Sequence, residues 1–169
     1  SIREYGVLVP VIVRQKDDGS YEMISGHRRK KACELLGIKK IRCIVKELTD
    51  DEATILMVDS NIQREEILPS EKAFSYKMKL EAMKHQGRKL EFYLQKTTRQ
   101  DDGKSESAEI IGKEVGQSAR TIQRYIRLTY LIPELLDLVD SKRIALGPAV
   151  ELSYLSENNQ YVVENIFEF

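Results

Sequence analysis

Tyr21-Glu22-Met23-Ile24-Ser25-Gly26-His27-Arg28-Arg29-Lys30-Lys31-Ala32-Cys33-Glu34-Leu35-Leu36-Gly37 reads as a strand, a glycine and a helix in immediate succession. The strand follows the turn signal Asp17-Asp18-Gly19-Ser20 and carries Tyr21, Met23 and Ile24 as its apolar residues. Over 30–36, Ala32, Leu35 and Leu36 share one helical face, and Gly37 stops the helix. A glycine at such a junction lets backbone N–H groups approach an anion, and the helix dipole adds to their pull. Arg28 and Arg29 bring forked donors suited to phosphate oxygens. The stretch therefore reads as a polyphosphate site; a basic first turn that merely faces solvent is the plainer alternative.

Outward from this junction, short strands and helices alternate over residues 1–66. Strands are expected over 7–13, 21–25 and 41–46, with helices over 30–36 and 50–60. This is a small mixed unit with few strands, and the chain as a whole is of the α+β class. Residues 1–6 resemble the end of a helix, so the sequence is expected to open inside its domain. After the helix over 50–60 come Asn61, Gln63 and Arg64, two amides and a guanidinium. Such groups suit a nucleoside triphosphate and its Mg²⁺, with Asn61 as a candidate metal ligand. The plainer reading makes Asn61 a helix cap and Arg64 one half of a surface ion pair, which contributes roughly 0–1 kcal/mol.

A long helix is expected over 69–86, with Ala73, Tyr76, Leu80 and Met83 at helical spacing and Gly87 as its C-cap. Phe74 and Tyr76 read as core residues in preference to platforms for stacked bases. Residues 97–105 are polar and turn-rich, a loop or linker, while Glu91-Phe92-Tyr93-Leu94 is apolar enough to pack.

Residues 107–130 read as a helix-turn-helix. Ile111, Gly112 and Val115 form the inner face of a first helix, and Gly112 lets two helices cross closely near Ile122. Gly116 sits where a tight turn needs a left-handed residue, and Ser118 can cap the second helix. Ile122, Tyr125 and Ile126 point inward; Arg120, Thr121, Gln123, Arg124 and Arg127 point outward. A recognition helix enters the major groove with its N-terminal residues at base edges. Gln117, Ser118, Arg120, Thr121, Gln123, Arg124 and Arg127 are thus the candidate DNA-binding residues, with Arg127 and Lys113 assigned to phosphate. An αα-hairpin with a basic outer face is the bland alternative. Pro133 starts a further helix with Leu135, Leu136 and Val139, and 147–150 starts another with Leu152 and Leu155 inward. The domain boundaries expected are 1–68, a connecting helix and linker over 69–106, and 107–169.

The 169 residues carry 27 Lys and Arg against 27 Asp and Glu, so the chain is no bulk polycation. Its charge is unevenly spread: 84–130 holds ten basic residues against six acidic ones, and 131–169 holds two against seven. A basic middle favours a localised nucleic-acid surface. Cys33 and Cys43 lack metal-ligand spacing and read as buried thiols. No apolar run approaches the ~20 residues that span a bilayer, and no signal-peptide pattern opens the chain, so a cytoplasmic protein is expected.

Taken in order, these motifs resemble the ParB/RepB family of partition proteins over 1 to about 155. Gly6-Val7-Leu8-Val9-Pro10-Val11-Ile12-Val13-Arg14 resembles the first box, Ser25-Gly26-His27-Arg28-Arg29 the arginine box, and Asp59-Ser60-Asn61-Ile62-Gln63-Arg64-Glu65 the third. The resemblance implies a ParB/sulfiredoxin-like domain that binds CTP with Mg²⁺, followed by an all-α helix-turn-helix domain. It implies a nucleotide site from Gly26, His27, Arg28, Arg29, Asn61, Gln63 and Arg64. The implied function is sequence-specific binding of double-stranded DNA in plasmid, chromosome or mobile-element segregation, with a ParA-like ATPase as a further partner and weak self-association. His27 and Ser60 stand where the family commonly has acids, so slow or absent CTP hydrolysis is expected. Two alternatives remain: a transcriptional or replication regulator with a vestigial nucleotide pocket, and a phosphotransferase on the same fold. Sulfiredoxins carry Gly-Cys-His-Arg, and the Cys position is Gly26 here, so their nucleophile is missing.

Overall fold

A computed structural model describes residues 6–64, 66–94 and 103–167. The chain divides into two units, 1–60 and 61–169. Residues 1–5 of the helix end expected over 1–6, and residues 97–102 of the expected loop, lie outside the described residues.

In the first unit, β1 (Val11–Gln15) and β2 (Tyr21–Ser25) form an antiparallel hairpin, and β3 (Cys43–Lys46) pairs parallel with β1, giving the order β2-β1-β3. The hairpin turn is tied by Asp18, whose carboxylate accepts the Ser20 N–H at 2.8 Å, and Gly19 takes φ +80°. β1 starts at Val11 and not at residue 7: Pro10 has no N–H for a ladder, and the first ladder bond runs from Val11 N–H to Arg42 C=O at 3.0 Å. Between β2 and β3 runs α1 (His27–Leu35). Its buried residue is Cys33, whereas Leu35 and Leu36, expected inside, are exposed. Among the described residues of this unit, Val11, Val13, Ile24, Cys33, Ala53 and Val58 are the buried apolar ones. Cys43, expected buried, is exposed together with Ile44 and Val45, because β3 is an edge strand among the described residues.

α2 (Asp50–Ile62) opens on a capping box. Glu52 accepts from the Thr49 N–H (2.8 Å) and hydroxyl (2.9 Å), and the Thr49 hydroxyl accepts from the Glu52 N–H (3.3 Å). Arg14 fastens this helix start to the sheet. Its guanidinium meets Glu22 at 2.6 Å and Asp50 at 2.7 Å, and the hydrogen bond with Glu22, then that with Asp50, raises its pKa above the ordinary value.

The second unit is helical. α3 (Pro69–Leu94) runs straight through Gly87, the expected C-cap, and so includes Phe92, Tyr93 and Leu94. Gly87 ends nothing because its φ is not positive, and a cap of that kind needs the left-handed region. α4 (Gly103–Val115), α5 (Ala119–Arg127), a 3₁₀ turn over Leu128–Tyr130, α6 (Pro133–Asp140), α7 (Leu146–Leu152) and α8 (Glu157–Phe167) follow. The expected loop residues Gly103, Lys104 and Ser105 already belong to α4.

Two apolar clusters build this unit. One joins Ala73 to Leu128, Leu131, Ile132, Leu135, Leu136, Val139, Ile144, Ala149 and Val150; the other joins Tyr76, Ala108, Ile111 and Ile122. α3 contributes to both, so it is part of the helical core and not a connector, in contrast to the connecting helix and linker expected over 69–106. Tyr76 meets Tyr125 edge-on, with ring centroids 5.8 Å apart, and burial raises the pKa of the Tyr76 hydroxyl. Phe74, expected inside, is exposed, as is Leu155. At its start α3 is held by α6: the Asp140 carboxylate accepts both the Ser70 N–H (2.9 Å) and the Ser70 hydroxyl. Lys79, buried on α3, pairs with Glu114 of α4. From α8 comes the buried amide of Gln160. It accepts from the Ile132 N–H at 2.9 Å and donates to the carbonyls of Tyr130 (3.1 Å) and Leu155 (3.2 Å).

Candidate anion site and nucleic-acid interface

The strand–helix junction of the first unit is built around Gly26. It caps α1 at φ 111° and ψ 16°, and a Cβ there would lie 2.5 Å from Val11 Cγ1 and 2.9 Å from Val11 Cβ. Only glycine fits both demands. The first intrahelical bond runs from Lys30 N–H to Gly26 C=O at 3.0 Å. The N–H groups of His27, Arg28 and Arg29 precede it and have no acceptor within the helix. No side chain caps this end and no acid occupies the first turn, which leaves the positive end of the helix open to an anion.

The residues of the arginine box have different settings. His27 and Arg28 are exposed. Arg29 is half-buried, and its Nη1 donates to the carbonyls of Val9 (2.6 Å) and Pro10 (2.5 Å). Arg29 thus holds the chain segment ahead of β1 as well as standing at the junction. Asn61, half-buried in the last turn of α2, and the exposed Gln63 and Arg64 fall in the second unit. The Arg64 N–H donates to Asn61 C=O at 3.1 Å, a turn that closes the helix. The Ser60 hydroxyl donates back to Leu56 C=O at 2.9 Å.

In the second unit, the turn between α4 and α5 has the geometry of a helix-turn-helix. Gly116 takes φ +67°, and the Ser118 hydroxyl accepts the Thr121 N–H at 3.1 Å, capping α5. A Cβ on Gly112 would lie 2.5 Å from Gln117 C=O and 3.3 Å from Ala119 N. The small residue therefore accommodates the turn backbone, and not a helix crossing at Ile122. Ile122 is fully buried, and it fixes which face of α5 turns outward. Lys113, Gln117, Arg120 and Gln123 are exposed; Thr121 and Arg124 are half-buried. Arg124 reaches toward α7, its Nη2 3.5 Å from where a Cβ of Gly147 would stand.

Arg127 is placed differently from its expected role. Its Nε donates to Ser153 Oγ at 2.9 Å, its Nη2 to Ser153 C=O at 2.8 Å, and its Cζ lies 4.6 Å from the Tyr130 ring centroid and 4.0 Å from that of Tyr154. Ser153 and Tyr154 were invisible to sequence reasoning, because nothing in a linear pattern couples Arg127 to a serine 26 residues away. Among the described residues, no three His, Cys, Asp or Glu side chains gather as metal ligands. No helix among them is long and apolar enough to cross a membrane.

A small three-stranded domain with an anion-receptive helix start, followed by a helical unit with a capped helix-turn-helix, is the architecture of a two-part, ParB-like protein. Residues 1–62 match the family model for the ParB N-terminal domain, so the first unit carries a domain of that family. It is 32% identical to the chromosome-partitioning protein Spo0J of Thermus thermophilus over 169 residues, covering 99% of this chain and 54% of that protein. Against a nucleoid occlusion protein of Listeria innocua the identity is 30%, covering 96% of this chain and 50% of the relative. The chain thus spans about half the length of the curated relatives it matches. The crystal structure of the C-terminally truncated chromosome-partitioning protein ParB from Caulobacter crescentus, complexed to the centromeric parS site, shares its fold. The TM-score is 0.54 at 24% identity, covering 94% of this chain and 73% of the other.

Proposed function

We propose that this chain binds double-stranded DNA in a partition system and that CTP regulates the binding. The observation that carries the reading is the first half of α5, where the Ser118 cap and the Gly116 turn present Gln117, Arg120 and Gln123 to solvent beside Lys113. Arg120 and Gln123 suit bidentate contacts to guanine and adenine edges in the major groove, and Lys113 suits phosphate. Gln117, Ser118 and Thr121 would meet the backbone near the helix start. Relatives named for chromosome partitioning, and a fold shared with a ParB crystallised on parS, support a role in DNA segregation. A ParA-like ATPase, a nucleoid location and weak self-association belong to the same reading.

The triphosphate of CTP suits the start of α1. Free N–H groups of residues 27–29 and the Arg28 guanidinium would hold phosphate oxygens, and His27 stands beside them. Asn61, Gln63 and Arg64 enter through the family resemblance. Asn61 offers a single amide oxygen, so a Mg²⁺ there would take most of its ligands from phosphate and water. Hydrolysis is expected to be slow or absent: His27 is exposed to solvent, and the Ser60 hydroxyl is spent on its own helix.

Two substitutions test the two sites separately. Arg28→Ala should abolish CTP binding in calorimetry and leave basal DNA affinity intact; Arg29→Ala is the poorer probe because it also frees Val9 and Pro10. Arg120→Ala should weaken a duplex that the chain selects from a random-sequence library by roughly 1–3 kcal/mol, with unchanged CTP affinity. Undiminished CTP binding in Arg28→Ala, or no sequence preference in the parent chain, would refute the corresponding half.

A further inference from the structure

Arg127 is the last residue of α5, and the sequence alone assigns it to a DNA phosphate. Its surroundings argue otherwise. Two of its N–H donors go to a single residue, the buried Ser153, one to the hydroxyl and one to the carbonyl. The Ser153 hydroxyl in turn donates to Val150 C=O at 2.6 Å, so the acceptor is itself fixed at the C-terminal end of α7. The rings of Tyr130 and Tyr154 flank the guanidinium, and Lys77 Nζ lies 5.4 Å from the Tyr130 centroid. Parallel donors combined with a flat cation against aromatic rings is chemistry that arginine performs and lysine does not. A positive charge at the end of a helix also meets the negative end of its dipole.

We infer that Arg127 is a positioning residue: it locks the C-terminal end of the recognition helix to the end of α7, and so fixes how Arg120 and Gln123 are aimed. The inference rests on the DNA-binding reading above and deepens it. A residue that aims base contacts should matter for the correct sequence and little for any other. A residue that neutralises a phosphate should matter equally for all sequences and contribute to the salt dependence.

The test measures binding of the whole chain to two fluorescent duplexes over a salt series, one enriched by the chain from a random library and one scrambled. Arg127→Ala should weaken the enriched duplex about tenfold, a loss comparable to one mismatched base pair, and change the scrambled one less than about twofold. The slope of log affinity against log salt should stay unchanged, whereas a lost phosphate contact would flatten it by about one unit. Arg127→Lys should fail to rescue, and Tyr154→Leu, which removes no charge, should act in the same direction. Equal weakening of both duplexes with a flattened slope, or full rescue by lysine, overturns the inference. If Arg127→Ala does not fold, Tyr154→Leu decides: binding equal to the parent chain on both duplexes overturns the inference as well. Amide-type NMR of the free protein separates this from failure of the DNA reading. The Arg127 Nε–H should exchange slowly with water, and Tyr154→Leu should speed it. Fast exchange in the parent chain overturns the lock whatever happens with DNA. Slow exchange without any enriched sequence removes the DNA reading instead.

Discussion

A methyl group on Gly26 would enter space that Val11 already fills, in a backbone conformation that L-residues avoid. Gly26→Ala should therefore destabilise the first unit by about 2–4 kcal/mol, combining backbone strain with overpacking. Gly116 has the same sign of φ but nothing within 4 Å of its missing Cβ, so Gly116→Ala should cost only about 1–2 kcal/mol, the left-handed penalty alone. Urea denaturation of the two variants checks the ranking. Both glycines were legible in the sequence, because a turn or a strand–helix junction announces its need for unusual backbone. Cys43, Leu35 and Phe74 were not. Each is apolar and sits at the right spacing, but its exposure depends on which strand is an edge and which helix face has a neighbour. Spacing carries neither fact.

Helix ends were read with mixed success, for a physical reason. Caps made by side chains close by in sequence, such as Ser118 on α5, are local and can be seen in the residues. The start of α3 is completed by Asp140 from 70 residues away, and no local pattern shows it. The capping box of α2 yields a pH prediction. Hydrogen bonds from the Thr49 N–H and then the Thr49 hydroxyl lower the Glu52 pKa below the ordinary carboxylate value. A carboxylate depressed in the folded state stabilises above its unfolded pKa, and that contribution is lost as pH falls through the folded value. Thr49→Ala should raise the Glu52 titration midpoint, followed by carboxyl NMR shifts, and flatten the acid dependence of first-unit stability. An unmoved midpoint would show that the box does not persist in solution.

At the scale of the molecule, the sequence made the mixed-then-helical order plain but read the helix that starts at Pro69 as a connector between domains. The reason is that Ala73 and Tyr76, although at helical spacing, serve different clusters, and spacing alone does not say which neighbours a helix meets. Both clusters draw only on residues after 61, which gives a direct expectation. The fragment 61–169 should fold alone, with helical circular dichroism and one cooperative thermal transition. A broad, non-cooperative melt would mean that these clusters do not suffice. Gln160 sets a lower bound on how much of this unit can be moved elsewhere. A transplanted segment ending at Ser156 would keep every residue of α4 and α5, yet strip partners from the Ile132 N–H and from the carbonyls of Tyr130 and Leu155. The smallest portable DNA reader in this protein therefore extends at least 30 residues past Tyr130, well beyond the motif that would be recognised as doing the reading.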